Sequence, residues 1–562
     1  MGIPSYFSHI IKNHPNILRT FAHIRTKNTQ FAALYMDCNS IIYDAVRSLE
    51  GGGQQELDAF ENKLIEQVIA KIKYYILTIK PSNVAYISFD GVAPMAKMDQ
   101  QKERRYRSAY LASILTPNQP VDSSKFSTTA ITPGTAFMRK LSERINAAFK
   151  NNEQMCSSLG VKQLVVSASD EPGEGEHKMF NYLRTTVSKS SRQENVAVYG
   201  LDADLIMLSM FHCSLCYNIH IFREAPEFST HILPAGLKSR TNARPVEREG
   251  SFTPSDLLFI DTFKFTRALL SEMGVNTATP IQMNTRIYDY VFMCFMLGND
   301  FMPHFLALNI RTAGIGRLMD TYNTVIAAKG LSLIHVNKNK NNKRPTEPGG
   351  MVFDSILWKN VHLFVAALAK NERAFITEEM EQRGKMAKGI AQSTAANKLN
   401  TPQEREAAIM NIPMLFRQDE EYINVAMPNW QTRYYDVAFR GTQIDVHAVC
   451  RNYCEGLEWT FRYYTAGCPN WKWKYDYSYP PLLEDLAVYL SNLDNDHSFF
   501  INTNTNEQDH GPCSPVEQLL YVLPKTHYYL LPDSVNYIAK PDDNKFDFTW
   551  LGCRYFWEAH LV

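Results

Sequence analysis

Short apolar runs that end in carboxylates constrain this chain more than any other feature. Phe31–Met36 (FAALYM) delivers Asp37, and Val84–Phe89 (VAYISF) delivers Asp90. Gln163–Ser167 is followed by Asp170, Glu171, Glu174 and Glu176, and Val196–Tyr199 by Asp202 and Asp204. Apolar runs of this length, bounded by polar turns, read as buried parallel strands. Open α/β sheets place their ligands beyond strand C-termini. Several anions meeting there repel one another unless positive charge lies between them. Downstream, Thr285–Leu297 reads as a buried helix stopped by Gly298, which presents Asn299 and Asp300 between apolar flanks. The set Asp37, Asp90, Glu174, Glu176, Asp202, Asp204 and Asp300 is therefore expected to be catalytic and to hold two Mg²⁺ or Mn²⁺ ions, which suit hard oxygen ligands better than zinc does. Two such ions, about 3.5–4 Å apart, would clamp the attacking and leaving oxygens of a phosphodiester. Capping or surface roles account for any one of these acids, but poorly for the set.

Between the second and third runs, Pro94 suits the first turn of a helix over Met95–Ser113. It carries Lys97, Gln101, Arg104 and Arg105 at i, i+4, i+7 and i+8, one face of a helix. Three cations and an amide would suit a terminal phosphate, with arginine giving bidentate contacts. Asp99, Lys102 and Glu103 on the remaining turns look like a solvated charged face. Spacing alone leaves the two readings equally open.

The 562 residues allow two or more domains. With 58 Lys and Arg against 58 Asp and Glu, any nucleic-acid surface must be a local patch. No apolar run approaches a bilayer span, no signal-peptide pattern opens the chain, and Tyr6 stands where a myristoylation signal wants Ser or Thr. The ten cysteines are scattered. Cys213 and Cys216 beside His212 and His220, or His447 with Cys450 and Cys454, could suggest zinc, but their apolar surroundings favour buried free thiols. These features imply a soluble, intracellular protein without a membrane partner. Further helices are predicted over Gln54–Lys80, Phe137–Phe149, Met351–Leu368 and Glu372–Lys388, with polar, mobile chain over Gly389–Gln403. The basic loop Asn337–Arg344 is the clearest linker. The expected division is a nuclease domain over 1–335, a linker and variable helical segment over 336–405, and a second region over 406–562. The aromatic block Gly456–Pro481 in that last region reads as a packed cluster, or as a platform for unstacked bases. The fold class expected is α/β: a mostly parallel central sheet flanked by helices, with a helix-rich aromatic region packed on it.

Taken together, GIPSYF at the start, YMDCN around Asp37, FDGVAPMAKMDQQKERRYRSA from Phe89, ITPGTAFM from Ile131, PGEGEHK, YGLDADLIML, LGNDFMPH, GCPNWKWKYDYSYPP and VLPKTHYYLLP resemble the Xrn-type 5′→3′ exoribonucleases over nearly the whole chain. More broadly, the core is similar to the flap-endonuclease-like metal nucleases. The resemblance implies that the seven acids bind metal and that Lys97, Gln101, Arg104 and Arg105 form a pocket for a 5′-monophosphate. It implies processive digestion of single-stranded RNA with such an end to nucleoside 5′-monophosphates. It also implies a leading base stacked between a His and a Trp. Here the His position is Tyr43, and the Trp is Trp471 or Trp473, a choice the sequence leaves open. Asp99 replaces the family's usual Asn and is expected to weaken the pocket slightly. The chain looks like a compact core without the long C-terminal extension of the large cytoplasmic members. A monomer is expected, cytoplasmic ahead of nuclear, with decapping or other RNA-processing proteins as the implied partner class. Two alternatives remain: a flap-type DNA nuclease, for which no helix-hairpin-helix glycines are visible, and an inactive RNA-binding scaffold, which would be expected to have lost some of the seven acids.

Overall fold

The structure, a computed structural model, describes residues 2–3, 5–49, 56–115, 122–186, 193–213, 216, 218–224, 257–275, 280–336, 353–396, 401–411, 415, 417–439, 444–500 and 511–535. Its centre is a seven-stranded sheet of β1 (Leu18–Thr20), β2 (Phe31–Asp37), β3 (Val84–Ser88), β4 (Gln163–Ser167), β5 (Asn195–Tyr199), β6 (Asn218–Glu224) and β7 (Leu257–Asp261). The order is β1-β7-β6-β5-β2-β3-β4. Strands β2 to β6 are mutually parallel, and β7 pairs antiparallel with both β6 and β1. This is the mostly parallel sheet the apolar runs predict.

Side chains on a strand alternate between faces, so a strand covered on both sides must be apolar throughout. Strand β2 shows this. Ala33 and Tyr35 join the core that also contains Met179, Phe180, Leu205 and Tyr463, while Leu34 and Met36 join the one with Ile41, Leu64, Phe137 and Leu141. The second core is closed by the helices Asn39–Leu49, Leu57–Ile79 and Ala136–Phe149. The first continues without a break through the helices Gly175–Thr186, Asp204–His212 and Pro280–Cys294 into Trp358–Ala369, Val446–Thr465 and Leu483–Leu490. The C-terminal aromatic region is thus packed on the sheet through shared apolar surface, as expected.

Some elements differ from the sequence reading. Residues Phe353–Ile356 are a strand paired antiparallel with Ile334–Val336, and the helix predicted from Met351 begins at Trp358. The buried carboxylate of Asp289 receives the backbone N–H groups of Leu333 and Ile334, which fixes that small sheet. The helix starting at Glu372 runs on to Ala396, past the predicted mobile boundary, and Gly389 is accommodated in it with open space around its Cα. Strands β1, β6 and β7 had no counterpart in the sequence reading. The linker Asn337–Arg344 lies outside the described residues, as does the Gly51–Gly53 break. Cys213, Cys216, Cys450 and Cys454 are buried free thiols, and His212 faces Leu208 O and Arg184 rather than a metal. Among the described residues no helix is long and apolar enough to cross a membrane.

The loops after β3 and β4 are clasped together: Gly91 N–H donates to Gly173 O at 2.9 Å, and Gly173 N–H to Val92 O at 2.8 Å. A Cβ on Gly91 would stand 1.8 Å from the backbone oxygen of Glu171, an atom that cannot swing aside. Gly91→Ala should therefore lower stability by about 1–3 kcal/mol, the usual range for overpacking. A urea unfolding midpoint equal to that of wild type would contradict this clasp.

Candidate active site

Strand order dictates which acids meet. Strand β2 lies between β5 and β3, and the chain passes β2→β3→β4 on one side before returning to β5 on the other. That reversal is the place where open α/β sheets bind ligands. Register aligns Asp37 with Ser88, Met36 with Tyr199, and Ser88 with Ser167. The residues just beyond these strand ends, Asp90, the Glu174–Glu176 turn and Asp202, therefore emerge beside Asp37. Local hydrogen bonds aim them. Asn39 bonds Asp90 through both its amide donor and its carbonyl, and Gly175 N–H donates to Asp90 Oδ1 at 2.7 Å. Ser88 Oγ ties Met36 O to Gly175 O at 2.8 and 3.0 Å. Lys178 donates to Ala168 O and Glu171 O, holding the β4 loop, and burial pushes its pKa down to about 8.

The acids are crowded and dry. Glu174, Glu176, Asp204 and Asp300 are each less than 8% exposed. Burial and then the charges of Asp90 and Asp202 raise the pKa of Asp37; burial and then Asp204 and Glu174 raise that of Glu176. Asp204, pushed up by burial and then by Asp300, reaches about 7. Among the described residues, Glu176 Oε2 and Asp204 Oδ1 are buried with no hydrogen-bond partner. Gly2 lies so close that a Cβ there would overlap the Asp204 carboxylate.

Lys97 puts a cation among them. Its ammonium sits 2.6 Å from Glu174 Oε2 and 2.5 Å from Asp300 Oδ2. Burial disfavours that charge, but Asp300 and Glu174 hold its pKa well above the ordinary lysine value. Gln100 completes the arrangement by donating to Asp300 Oδ1 at 2.6 Å. Among the described residues no three acids are already drawn into a finished metal shell. The donor chemistry nevertheless fits a hard divalent cation: oxygen ligands only, several with pKa values raised by burial and neighbouring charge, and two buried oxygens without a hydrogen-bond partner among the described residues.

The basic helix, which runs over Met95–Leu115, forms another wall of the same cavity. The space, about 350 Å³, is lined by Asp37, Asp90, Glu174, Glu176 and Asp202 together with Tyr43, Lys97, Gln101, Arg104 and Arg105. Asp204 and Asp300 lie behind this lining. The four residues of the predicted basic face thus share one space with the acids. They do not act alike, however: Lys97 is engaged by carboxylates, a departure from the four-membered phosphate pocket. Arg105 donates to Thr132 Oγ1 at 2.8 Å and approaches Gln101 Oε1 at 3.5 Å. Burial lowers its pKa to about 10. Among the described residues neither Arg104 nor Arg105 has a carboxylate ion-pair partner, and Arg104 is exposed to the cavity. Asp99 is bonded by the Tyr521 hydroxyl and lies 3.3 Å from Lys474, so it ties the basic helix to the second region.

The two tryptophans are also distinguished. Trp473 is a core residue, stacked on Trp459 with ring centroids 5.1 Å apart. Trp471 is half-buried, its ring reaching Gly173 beside Glu174, and its carbonyl accepts Met95 N–H at 2.9 Å. The sequence reading missed Asn39, Gln100, Tyr463 and Tyr464. Asn39 stands two residues after Asp37 and Gln100 three after Lys97, spacings that could have flagged them. The tyrosines come from a distant helix and left no local signal.

Comparison with known proteins adds the family. The model described as "XRN 5'-3' exonuclease N-terminus" matches residues 1–225, and that described as "Xrn1 helical domain" matches 280–421 and 390–549. The chain belongs to the Xrn family. It is 24% identical to 5'-3' exoribonuclease 1 of Saccharomyces cerevisiae, covering 95% of this chain and 40% of that protein. It is 26% identical to the Homo sapiens protein of the same name, covering 97% and 32%, and 24% identical to 5'-3' exoribonuclease 2 of Arabidopsis thaliana, covering 100% and 65%. The chain therefore spans less than half the length of the yeast and human relatives.

A folded-state carboxyl with a raised pKa loses stability as pH rises through that pKa. Replacing it by a neutral amide removes the cost. In chelator, Asp204→Asn should melt several degrees above wild type at pH 8, and the gap should close as pH falls from about 7 towards 4. A gap independent of pH would contradict the charge crowding around Asp204.

Proposed function

We propose that this Xrn-family chain is a 5′→3′ exoribonuclease that takes single-stranded RNA with a 5′-monophosphate end and hydrolyses it processively to nucleoside 5′-monophosphates. The observation that carries the reading is a cavity with carboxylates on one side and, on the other, arginines that have no carboxylate ion pair among the described residues. In this reading Arg104 and Arg105, steadied by Gln101 and Thr132, bind the terminal phosphate. A buried guanidinium without a counter-ion gains most from an anion of matching geometry, so a 5′-hydroxyl leaves the arginines unpaired. A cavity of about 350 Å³ that must also admit the first nucleotide rejects triphosphate and capped ends by size. Tyr43, exposed in the cavity wall, and Trp471 are the stacking pair for the leading base in this reading, while Trp473 stays in the core against Trp459.

Asp37, Asp90, Glu174, Glu176, Asp202, Asp204 and Asp300 would hold two Mg²⁺ or Mn²⁺ ions, which supply water activation and stabilisation of the leaving oxygen. Lys97 keeps Glu174 and Asp300 apart from each other and in place. Each cleavage leaves a new 5′-phosphate that fits the same arginines, which supports processive digestion. The assignment of residues 1–335 to the nuclease domain, 336–405 to a linker and variable segment and 406–562 to the region completing the pocket belongs to this proposal, as do a monomeric state, cytoplasmic residence and RNA-processing partners. The scaffold alternative would be expected to have lost some of these acids, and all seven are present in the sequence, which supports the enzyme reading.

The test compares one RNA carrying a 5′-monophosphate, 5′-hydroxyl or 5′-triphosphate end, in Mg²⁺ and in EDTA. Mononucleotides should appear from the monophosphate form alone and only with Mg²⁺. Equal decay of all three ends would overturn the pocket assignment, and binding without cleavage would favour the scaffold. Arg105→Ala should lower kcat/KM on the monophosphate substrate about tenfold to hundredfold, the worth of one charge-assisted contact.

A further inference from the structure

The helix Val446–Thr465 belongs to the second region, yet its C-terminal end reaches the acids of the first. Tyr463, 2% exposed, donates its hydroxyl to Glu174 Oε1 at 2.9 Å across 289 residues of sequence. The other oxygen of the same carboxylate, Oε2, takes the Lys97 ammonium. The Tyr463 ring cannot swing: it is stacked on His177 at 3.7 Å and 22°, with Trp459 at 4.8 Å behind it and Phe301 edge-on at 5.6 Å. Next to it, Tyr464 is buried where its hydroxyl feels the charges of Asp204, Glu176 and Asp300. Further back on the helix, Gly456 allows Met302, two residues from Asp300, to approach to a distance that a Cβ would forbid.

We infer that Tyr463 is a positioning residue: its hydroxyl pins Glu174 Oε1, so that Oε2 is the oxygen left to exchange the Lys97 ammonium for a divalent ion. The inference rests on the reading that these carboxylates hold Mg²⁺ or Mn²⁺. It makes the second region part of the metal site and not merely a cover over it. A ligating carboxylate with one oxygen fixed loses less freedom on binding, and outer partners of this kind typically contribute 10–100-fold to metal affinity.

Tyr463→Phe keeps the ring and removes only the donor. Tyr453→Phe is the control, because Tyr453 on the same helix is equally buried but donates to the backbone oxygen of Pro303 at 3.0 Å and not to a carboxylate. Mn²⁺ affinity of the full chain, read without RNA from the signal of free Mn²⁺, should fall about 10–100-fold in Tyr463→Phe and stay unchanged in Tyr453→Phe. On RNA, raising Mn²⁺ should restore most of the Tyr463→Phe rate, with KM for RNA unaltered. Unchanged Mn²⁺ affinity in Tyr463→Phe, or an equal fall in both variants, overturns the positioning role and leaves the metal reading standing. Absence of Mn²⁺ binding by wild type overturns the metal reading, and this inference with it. A second measurement does not depend on the variant folding: 3-fluorotyrosine at position 463 should shift its ¹⁹F resonance as Mg²⁺ saturates the site. A resonance that ignores Mg²⁺ contradicts the contact.

Discussion

Mutual repulsion among buried carboxylates is the constraint on which this structure depends. Parallel strands β2, β3, β4 and β5 direct their C-terminal ends to one edge, and each is followed by acids. The acids meet the cost of proximity through raised proton affinity, as at Asp204, or by sharing one ammonium, as Glu174 and Asp300 do. Neither device balances the whole set. Both leave Glu176 and Asp204 with orphaned oxygens that a hard cation would satisfy.

Around that edge the rest of the molecule acts as a brace. The loop clasp at Gly91 and Gly173 orients the Glu174–Glu176 turn. The basic helix offers one lysine to the acids and two arginines to the cavity, a division of labour set by which residues lie closest to the sheet. Asp99 and Tyr521 tie that helix to the C-terminal region, and Trp471 closes over its first turn. The aromatic core shared by the sheet and the helix Val446–Thr465 carries Tyr463 and Tyr464 to the acids. The two regions matched by the two Xrn models therefore meet at the site rather than beside it.

Much of this was legible in the sequence because its signals are local. Strands β2 to β5 announce themselves as apolar runs, and the acids follow them by a few residues. The face shared by Lys97, Gln101, Arg104 and Arg105 follows from helical spacing. Contacts over long sequence separation were not legible. Lys97 pairs with Asp300 across 203 residues, Tyr463 with Glu174 across 289, and Asp99 with Tyr521 across 422. No spacing rule reports such partners, so the carboxylates around Lys97 and the Tyr521 hydroxyl on Asp99 left no trace in the sequence. The choice between Trp471 and Trp473 likewise depended on which ring stacks on Trp459. Strand β7, an apolar run ending in Asp261, carries the same kind of signal as β2 and was passed over, while the polar residues Asn218, His220 and Arg223 interrupt β6 and β1 is only three residues long.

Anomalous diffraction from crystals of the metal-free protein soaked in Mn²⁺ tests the central claim most directly. Two Mn²⁺ peaks among Asp37, Asp90, Glu174, Glu176, Asp202, Asp204 and Asp300, with the Lys97 ammonium displaced from Glu174, are the predicted result. An edge that stays free of Mn²⁺ at saturating concentration, with Lys97 still bridging Glu174 and Asp300, would contradict it.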